Sequence, residues 1–136
     1  MYPPELVAPK KAELTEAGFS EMISVEDVDA TIAKPGSTMI VINSVCGCAA
    51  SSMRPGVLKA LKNEKLPTHL TTSFAGVDQA AVERVRKFLL PYPPSSPSIA
   101  LFKDGRLLHM VERHHIEGRN ADMIADHLKM VFDEHC

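Results

Sequence analysis

The chain has no tryptophan, and aromatic residues of any kind make up 5% of its 136 positions. It also has no basic run, so it lacks both the stacking surface and the electrostatic footprint that nucleic-acid binding needs. Its densest basic cluster, Arg84-Val85-Arg86-Lys87, falls in a helical pattern and reads as a solvated face. A net charge of −2 is too close to neutral for strong steering of charged partners. No apolar stretch approaches the ~20 residues of a membrane-spanning helix. The opening Met1-Tyr2-Pro3-Pro4-Glu5 has neither the basic nor the apolar segment of a signal peptide. Cysteine is scarce, with Cys46, Cys48 and Cys136 alone. An odd, sparse set is unlike the framework of a small secreted scaffold. The length is that of one domain, residues 1–136, with a hydrophobic core of its own, so the cysteines are free for chemistry. The expected setting is a reducing cytoplasm. No Gly-rich phosphate loop is present, and Glu13, Glu16 and Glu21 show no pairing suited to acid–base catalysis. The hydroxyls of Ser44, Ser95 and Ser96 have no matching base.

What the chain does have is Asn43-Ser44-Val45-Cys46-Gly47-Cys48, two cysteines one residue apart after an apolar run and before a helical pattern. Sulfurs at i and i+2 reach each other only if the chain bends. Gly47 is the residue expected to allow the bend, having no Cβ to forbid left-handed dihedrals. A disulfide closed over one residue is expected to be strained and readily reduced. Such a bond holds a fold together poorly but passes readily to another thiol, which points to thiol–disulfide exchange.

The surrounding pattern supplies a scaffold. Glu5 to Glu16 is a helix candidate with Pro9 at its start or breaking it, followed by a short strand from Phe19 to Ile23. Ser24 offers an N-cap, with Asp27 placed for a capping box, ahead of a helix from Glu26 to Ala33. Thr38 to Ile42 is a continuous apolar, β-branched run, the pattern of a strand buried on both faces. Met53, Val57 and Leu61 recur at helical spacing, predicting a helix from about Cys48 to Asn63. Thr68 to Phe74 reads as a strand. Asp78 caps a helix whose face is Ala81, Val82, Val85, Phe88 and Leu89. Ser98 to Phe102 is a further strand, and Asp104-Gly105 turns it into Arg106 to Val111. A last helix runs from about Asn120, with His127 on its polar side. The sum is an α/β fold, a mixed sheet with helices on both faces. Its function is expected at the carboxyl ends of the central strands, where the cysteines lie.

At a helix start, unpaired N–H groups and the positive end of the dipole lower a cysteine pKa. Cys46, just outside the helix, is the better nucleophile, and Cys48 would resolve. Helix-end arguments alone leave the reverse order open. Arg54, Ser51 and Ser52 are expected on the solvent side of the helix, and Asn43 and Ser44 either bond the loop or merely form a polar strand exit. His114-His115, flanked by Glu112 and Glu117, could suggest a metal, but adjacent histidines diverge in most backbones. The rim of the active-site face is the preferred reading for them.

This architecture resembles the thioredoxin fold, with Pro55 inside the helix that follows the cysteines. Ser96-Pro97-Ser98-Ile99-Ala100-Leu101-Phe102-Lys103-Asp104-Gly105 looks like the segment that carries the fold's cis-proline. By that resemblance Pro97 is cis and faces the cysteines. The closer likeness is to the bacilliredoxin family. It is carried by Asn43 to Ala50, Arg54-Pro55, Phe74 to Asp78, Pro94 to Ser98, Glu112-Arg113-His114 and Ile116 to Arg119. The resemblance implies removal of bacillithiol, a low-molecular-weight thiol, from modified protein cysteines: Cys46 takes the bacillithiol and Cys48 or a second bacillithiol clears it. Disulfide isomerase activity is also attached to the family. Clients would be bacillithiolated or disulfide-bonded proteins, with bacillithiol as co-substrate and no metal or organic cofactor. Asn43, Ser44, Gly47, Arg54, Ser96, Pro97 and His114 are the expected loop or substrate-binding positions. His115 and Cys136 are the departures noticed, and neither touches the central motif. Competing readings are a general disulfide isomerase or reductase, a redox-sensing binding module, and a metal or iron–sulfur carrier using the cysteines with histidines.

Overall fold

Strand β2, Ser37–Asn43, is buried along its whole length and organises the molecule. The computed structural model describes residues 2–136. β2 pairs in parallel with β3, His69–Phe74, and antiparallel with β4, Ser98–Lys103. With β1, Ser20–Glu21, and β5, Arg106–Val111, these make one mixed sheet in the order β1-β3-β2-β4-β5. Side chains alternate across a strand. Met39 and Val41 of β2 therefore enter one core and Ile40 and Ile42 the other.

The first core is closed by α1 (Pro4–Thr15), α3 (Arg54–Ala60) and α6 (Ala121–His135), through Leu14, Val57 and Leu128. The second is closed by α2 (Val25–Ile32) and α4 (Gln79–Phe88), through Val28, Val82 and Val85. A short α5, Arg113–Ile116, links β5 to α6. The mixed sheet with helices on both faces is as the apolar patterning predicts. The capping box also forms, with Ser24 Oγ accepting from Asp27 N and Asp27 Oδ2 from Ser24 N. Asp104 (φ 50°) and Gly105 (φ +81°) make the left-handed pair that a two-residue hairpin needs.

Four local expectations are corrected. Pro9 lies inside α1; the carbonyl it leaves without a donor belongs to Glu5, on the exposed first turn where water reaches it. The strand expected over Phe19 to Ile23 is only Ser20–Glu21, because Phe19 and Met22 are drawn into the two cores. Asp78 stands at the N-cap of α4 without capping it. Its carboxylate instead accepts from Phe74 N (2.9 Å) and Lys11 Nζ (3.3 Å), tying α4 to the end of β3 and to α1. The helix after the cysteines begins with a π-helical segment, Ala49–Met53, before α3. Pro55 cannot donate to the carbonyl of Ser51, and its ring would clash with it in a regular α-turn; the wider π-turn relieves both problems. At Gly56, a Cβ would stand 2.7 Å from Ile124 Cγ2, so only glycine lets α3 pack this closely on α6.

Candidate active site

The loop that leaves β2 is held from below. Asn43 is 1% exposed, and its Oδ1 accepts from Ser44 N (2.8 Å) and from Arg54 Nη1 (3.0 Å). Its Nδ2 donates to Lys10 O (3.1 Å). Ser44 Oγ accepts from Cys46 N (3.0 Å). Arg54 Nη1 also donates to Ser44 O (3.0 Å), and Arg54 Nε lies 3.0 Å from Glu13 Oε2, an ion contact at which the N–H is not aimed. Asn43 and Ser44 thus bond the loop rather than mark a plain polar exit.

Arg54 and Ser52 correct the expectation of solvent-facing side chains. Arg54 is 1% exposed, and Ser52 Oγ donates to Arg119 O (2.6 Å). The expectation assumed regular α-spacing, which the π-helical segment breaks. Arg54 is therefore under the loop and out of a substrate's reach. Ser51 is exposed.

Residues 47 and 48 are helical, and Cys46 is the last residue before them. Its carbonyl accepts from the N–H groups of Ala49 and Ala50. The sulfurs of Cys46 and Cys48 are 2.9 Å apart and unbonded, and both residues are half-buried. Chemically the two differ. A hydrogen bond from the Cys48 thiol holds Cys46 below the ordinary thiol range, aided by the N–H groups of Cys48 and Ala49 and the charge of Arg113, against the opposing effect of burial. Burial pushes Cys48 up to about 11, and its bond to Cys46, the Cys46 charge and Glu117 add to the rise. One thiol is set to ionise and the other to stay protonated.

Gly47 corrects another expectation. It adopts helical geometry and is not among the glycines at positive φ. It is exposed, and a Cβ there would meet nothing within 4 Å. The helical turn, rather than a left-handed glycine, brings the sulfurs together.

The Ser96–Pro97 bond is cis, as the resemblance implies; Leu90–Pro91 is also cis, with no counterpart in the expectations. Ser98 pairs with Ile42, so continuing that register by one residue sets Pro97 opposite Asn43, at the carboxyl end of β2. Pro97 is buried and Ser96 half-buried. Ser96 O accepts from Arg113 Nη1 (3.2 Å).

His114, expected on the rim, is exposed, with Nε2 3.9 Å from Glu112 Oε2. The structure gives it no contact with the cysteines; its neighbour Arg113 is the residue whose charge reaches both sulfurs. Arg113 Nε donates to Glu117 Oε1. Sequence reading passed over Arg113 as a site residue. The available signal was an arginine four residues before a glutamate, a spacing that pairs them on one helical face. Glu112, His114 and His115 do offer three ligand atoms within 4.8 Å of one another. However, His115 Nδ1 accepts from Glu112 N (3.1 Å). A neutral imidazole with Nδ1 as acceptor carries its proton on Nε2, so neither nitrogen of His115 has a free lone pair for a metal.

Comparison with known proteins bears on the family and the fold. A family profile described as disulphide isomerase matches residues 2–136. A bacilliredoxin of Cytophaga hutchinsonii is 67% identical over 134 residues, covering 98% of this chain and 99% of that one. A bacilliredoxin of Geobacillus kaustophilus is 46% identical, covering 97% and 91%. Among solved structures, mitochondrial thioredoxin 3 of Saccharomyces cerevisiae in its oxidised form superposes with a TM-score of 0.59 at 14% identity, over 90% of this chain and 98% of that one. The thioredoxin-like domain of Arabidopsis NCP reaches 0.61 at 15%, over 87% and 79%. The fold is thioredoxin-like.

Proposed function

The chain belongs to the bacilliredoxin family, and from that premise we propose that it strips bacillithiol from protein mixed disulfides, with Cys46 attacking and Cys48 resolving. The coarser activity, thiol–disulfide oxidoreduction, is the chemistry of the family and the fold. Bacillithiol as the group removed rests on the family, and the observation that supports the order of attack is the asymmetry of the pair: two unbonded sulfurs 2.9 Å apart, one held toward thiolate and the other pushed up to about 11.

In the first step the Cys46 thiolate attacks the bacillithiol sulfur of the mixed disulfide. The client leaves as a thiolate, and a Cys46–bacillithiol disulfide forms. In the second step Cys48 loses its proton and attacks Cys46. Bacillithiol leaves as a thiol, and the protein is left with a Cys46–Cys48 disulfide. A second bacillithiol can take the place of Cys48 in this step. Two external thiols then return the pair to the dithiol and leave joined as their own disulfide. Burial, the main cause of the high pKa of Cys48, persists through the first step, but the Cys46 thiolate that adds to the rise is then gone, so Cys48 ionises more readily once Cys46 has reacted. The cycle calls for no metal or organic cofactor. Its setting is a reducing cytoplasm, and its clients are bacillithiolated or disulfide-bonded proteins.

The test is intact-mass analysis after mixing reduced protein, or its Cys48→Ser variant, with a bacillithiolated client. One bacillithiol mass retained on Cys46 of the variant, with the client freed, is the expected result. A Cys46 left as the free thiol, with the client unchanged, refutes the transfer reading. Equal turnover of other disulfides would instead make the protein a general isomerase or reductase.

A further inference from the structure

The active-site face carries an ion pair whose members take no part as reacting groups in the exchange steps. Arg113 and Glu117 are joined through Arg113 Nε, and both side chains are about half exposed. Arg113 Nη1 donates to Ser96 O (3.2 Å), and its backbone N to Ser95 Oγ (3.4 Å). Both contacts lie beside the cis Ser96–Pro97 bond. A guanidinium has five N–H donors in one plane. Among the described residues, Nη2 meets no acceptor. The guanidinium is anchored through Nε and Nη1, which leaves both N–H groups of Nη2 open, and its charge acts on both sulfurs. Open guanidinium N–H groups are strong charged donors to a carboxylate.

We propose that Arg113 is a specificity-determining residue: its open N–H groups take a carboxylate of the small thiol carried on the client's cysteine, and Glu117 tunes how much of that charge an incoming group meets. The preferred substrate is then the mixed disulfide of an acidic thiol. This rests on the reading of Cys46 as the attacking residue. Since Glu117 also carries a carboxylate, a substrate acid competes with it for the guanidinium, so removing Glu117 should sharpen the preference.

Two aromatic disulfides serve as probes, on a Cys48→Ser, Cys136→Ser background in which Cys46 is the sole thiol. One is 5,5′-dithiobis(2-nitrobenzoate), which bears a carboxylate on each ring, and the other is 4,4′-dithiodipyridine, neutral at pH 7. In each reaction the Cys46 thiolate attacks one sulfur, a Cys46–aryl disulfide forms and a coloured aryl thiol is released. The ratio of the two rates cancels any change in the ionisation of Cys46, because the nucleophile is shared. Arg113→Gln is expected to lower the anionic-to-neutral ratio by roughly three- to fivefold, the scale of an exposed ion pair. Arg113→Lys should recover part of it, and Glu117→Gln should raise it. The difference between the arginine and glutamine proteins should shrink in 1 M salt, where screening acts within about 3 Å. An unchanged ratio in Arg113→Gln, with the neutral probe still reacting, overturns the inference and leaves the exchange mechanism standing. Failure of Cys46 to react with either probe overturns the reading of Cys46 on which it rests.

Discussion

Two cysteines of the same type, one residue apart, behave differently because their sulfurs meet different surroundings. Cys46 is stabilised as a thiolate by the Cys48 thiol, two backbone N–H groups and the charge of Arg113. Cys48 meets mainly the core, packing against the cluster that contains Ala49 and Met53. A thiol held below its ordinary range is a thiolate at lower pH, and the thiolate is the form that reacts. Iodoacetamide at pH 7 to 8 should therefore alkylate Cys46 ahead of Cys48 in the reduced protein, as peptide mapping would read. Preferential labelling of Cys48 would reverse the assigned order of attack. Below Cys46, Arg54 joins Asn43 to Ser44 from a position almost without solvent. Its role is to hold the loop, because a buried guanidinium cannot meet a substrate.

At the scale of elements, the contact between α3 and α6 depends on Gly56. Gly56→Ala must push Ile124 or the carbonyl of Ala121 aside, since its Cβ would stand 2.7 and 3.0 Å from them. Overpacking of this kind costs about 1–3 kcal/mol, so urea denaturation should show a lower midpoint. Gly47→Ala, helical and with nothing within 4 Å, is the control that should leave the midpoint unchanged or slightly raised. The β5–α6 contact carries a second test. His109 Nε2 and His127 Nε2 are 2.9 Å apart, so one ring must be an acceptor. Burial and then the charge of His127 lower the His109 pKa below 6.5, with His135 and His115 adding to this and Glu134 opposing. The unfolded chain then binds more protons than the native one in the window that ends near pH 6.5. Stability rises with pH through that window, falls as the pH drops through it, and levels off once both states are protonated. Thermal melts between pH 7 and 5 should show that fall, and His109→Gln should flatten it. A variant as pH-sensitive as the parent would place the effect elsewhere.

For the whole molecule, the sheet separates its ends by function. α6 starts beside the active-site helix, where Ala121 O approaches Gly56. It ends past the hairpin, where Lys103 Nζ donates to His135 O. Fifteen helical residues span roughly 22 Å. Cys136, exposed at the far end, is out of reach of Cys46. Cys136→Ser should leave the bacillithiol-transfer rate within about twofold, on the expectation that exposed changes away from a site are nearly neutral. A larger loss would make Cys136 a working thiol.

The continuous apolar run of Thr38 to Ile42, the capping box at Ser24, the helix start near Asn120 and the Asp104-Gly105 turn could all be read from local sequence. Each depends on the chemistry of a few neighbouring residues, and each appears in the structure. The Cys-Gly-Cys motif likewise pointed by itself to thiol exchange and to the strand end that would carry it. What the sequence could not show was set by contacts between residues distant in the chain. Arg54 is buried because the π-helical turn breaks the regular spacing and Asn43, Ser44 and Glu13 converge on it. Arg113 reaches the sulfurs because the turn after β5 sets it beside Ser96, seventeen residues earlier. The difference between Cys46 and Cys48 arises in the same way. Local patterning determines which elements form, whereas burial and charge at a sulfur are sums over everything packed around it, and only the tertiary structure brings those groups together.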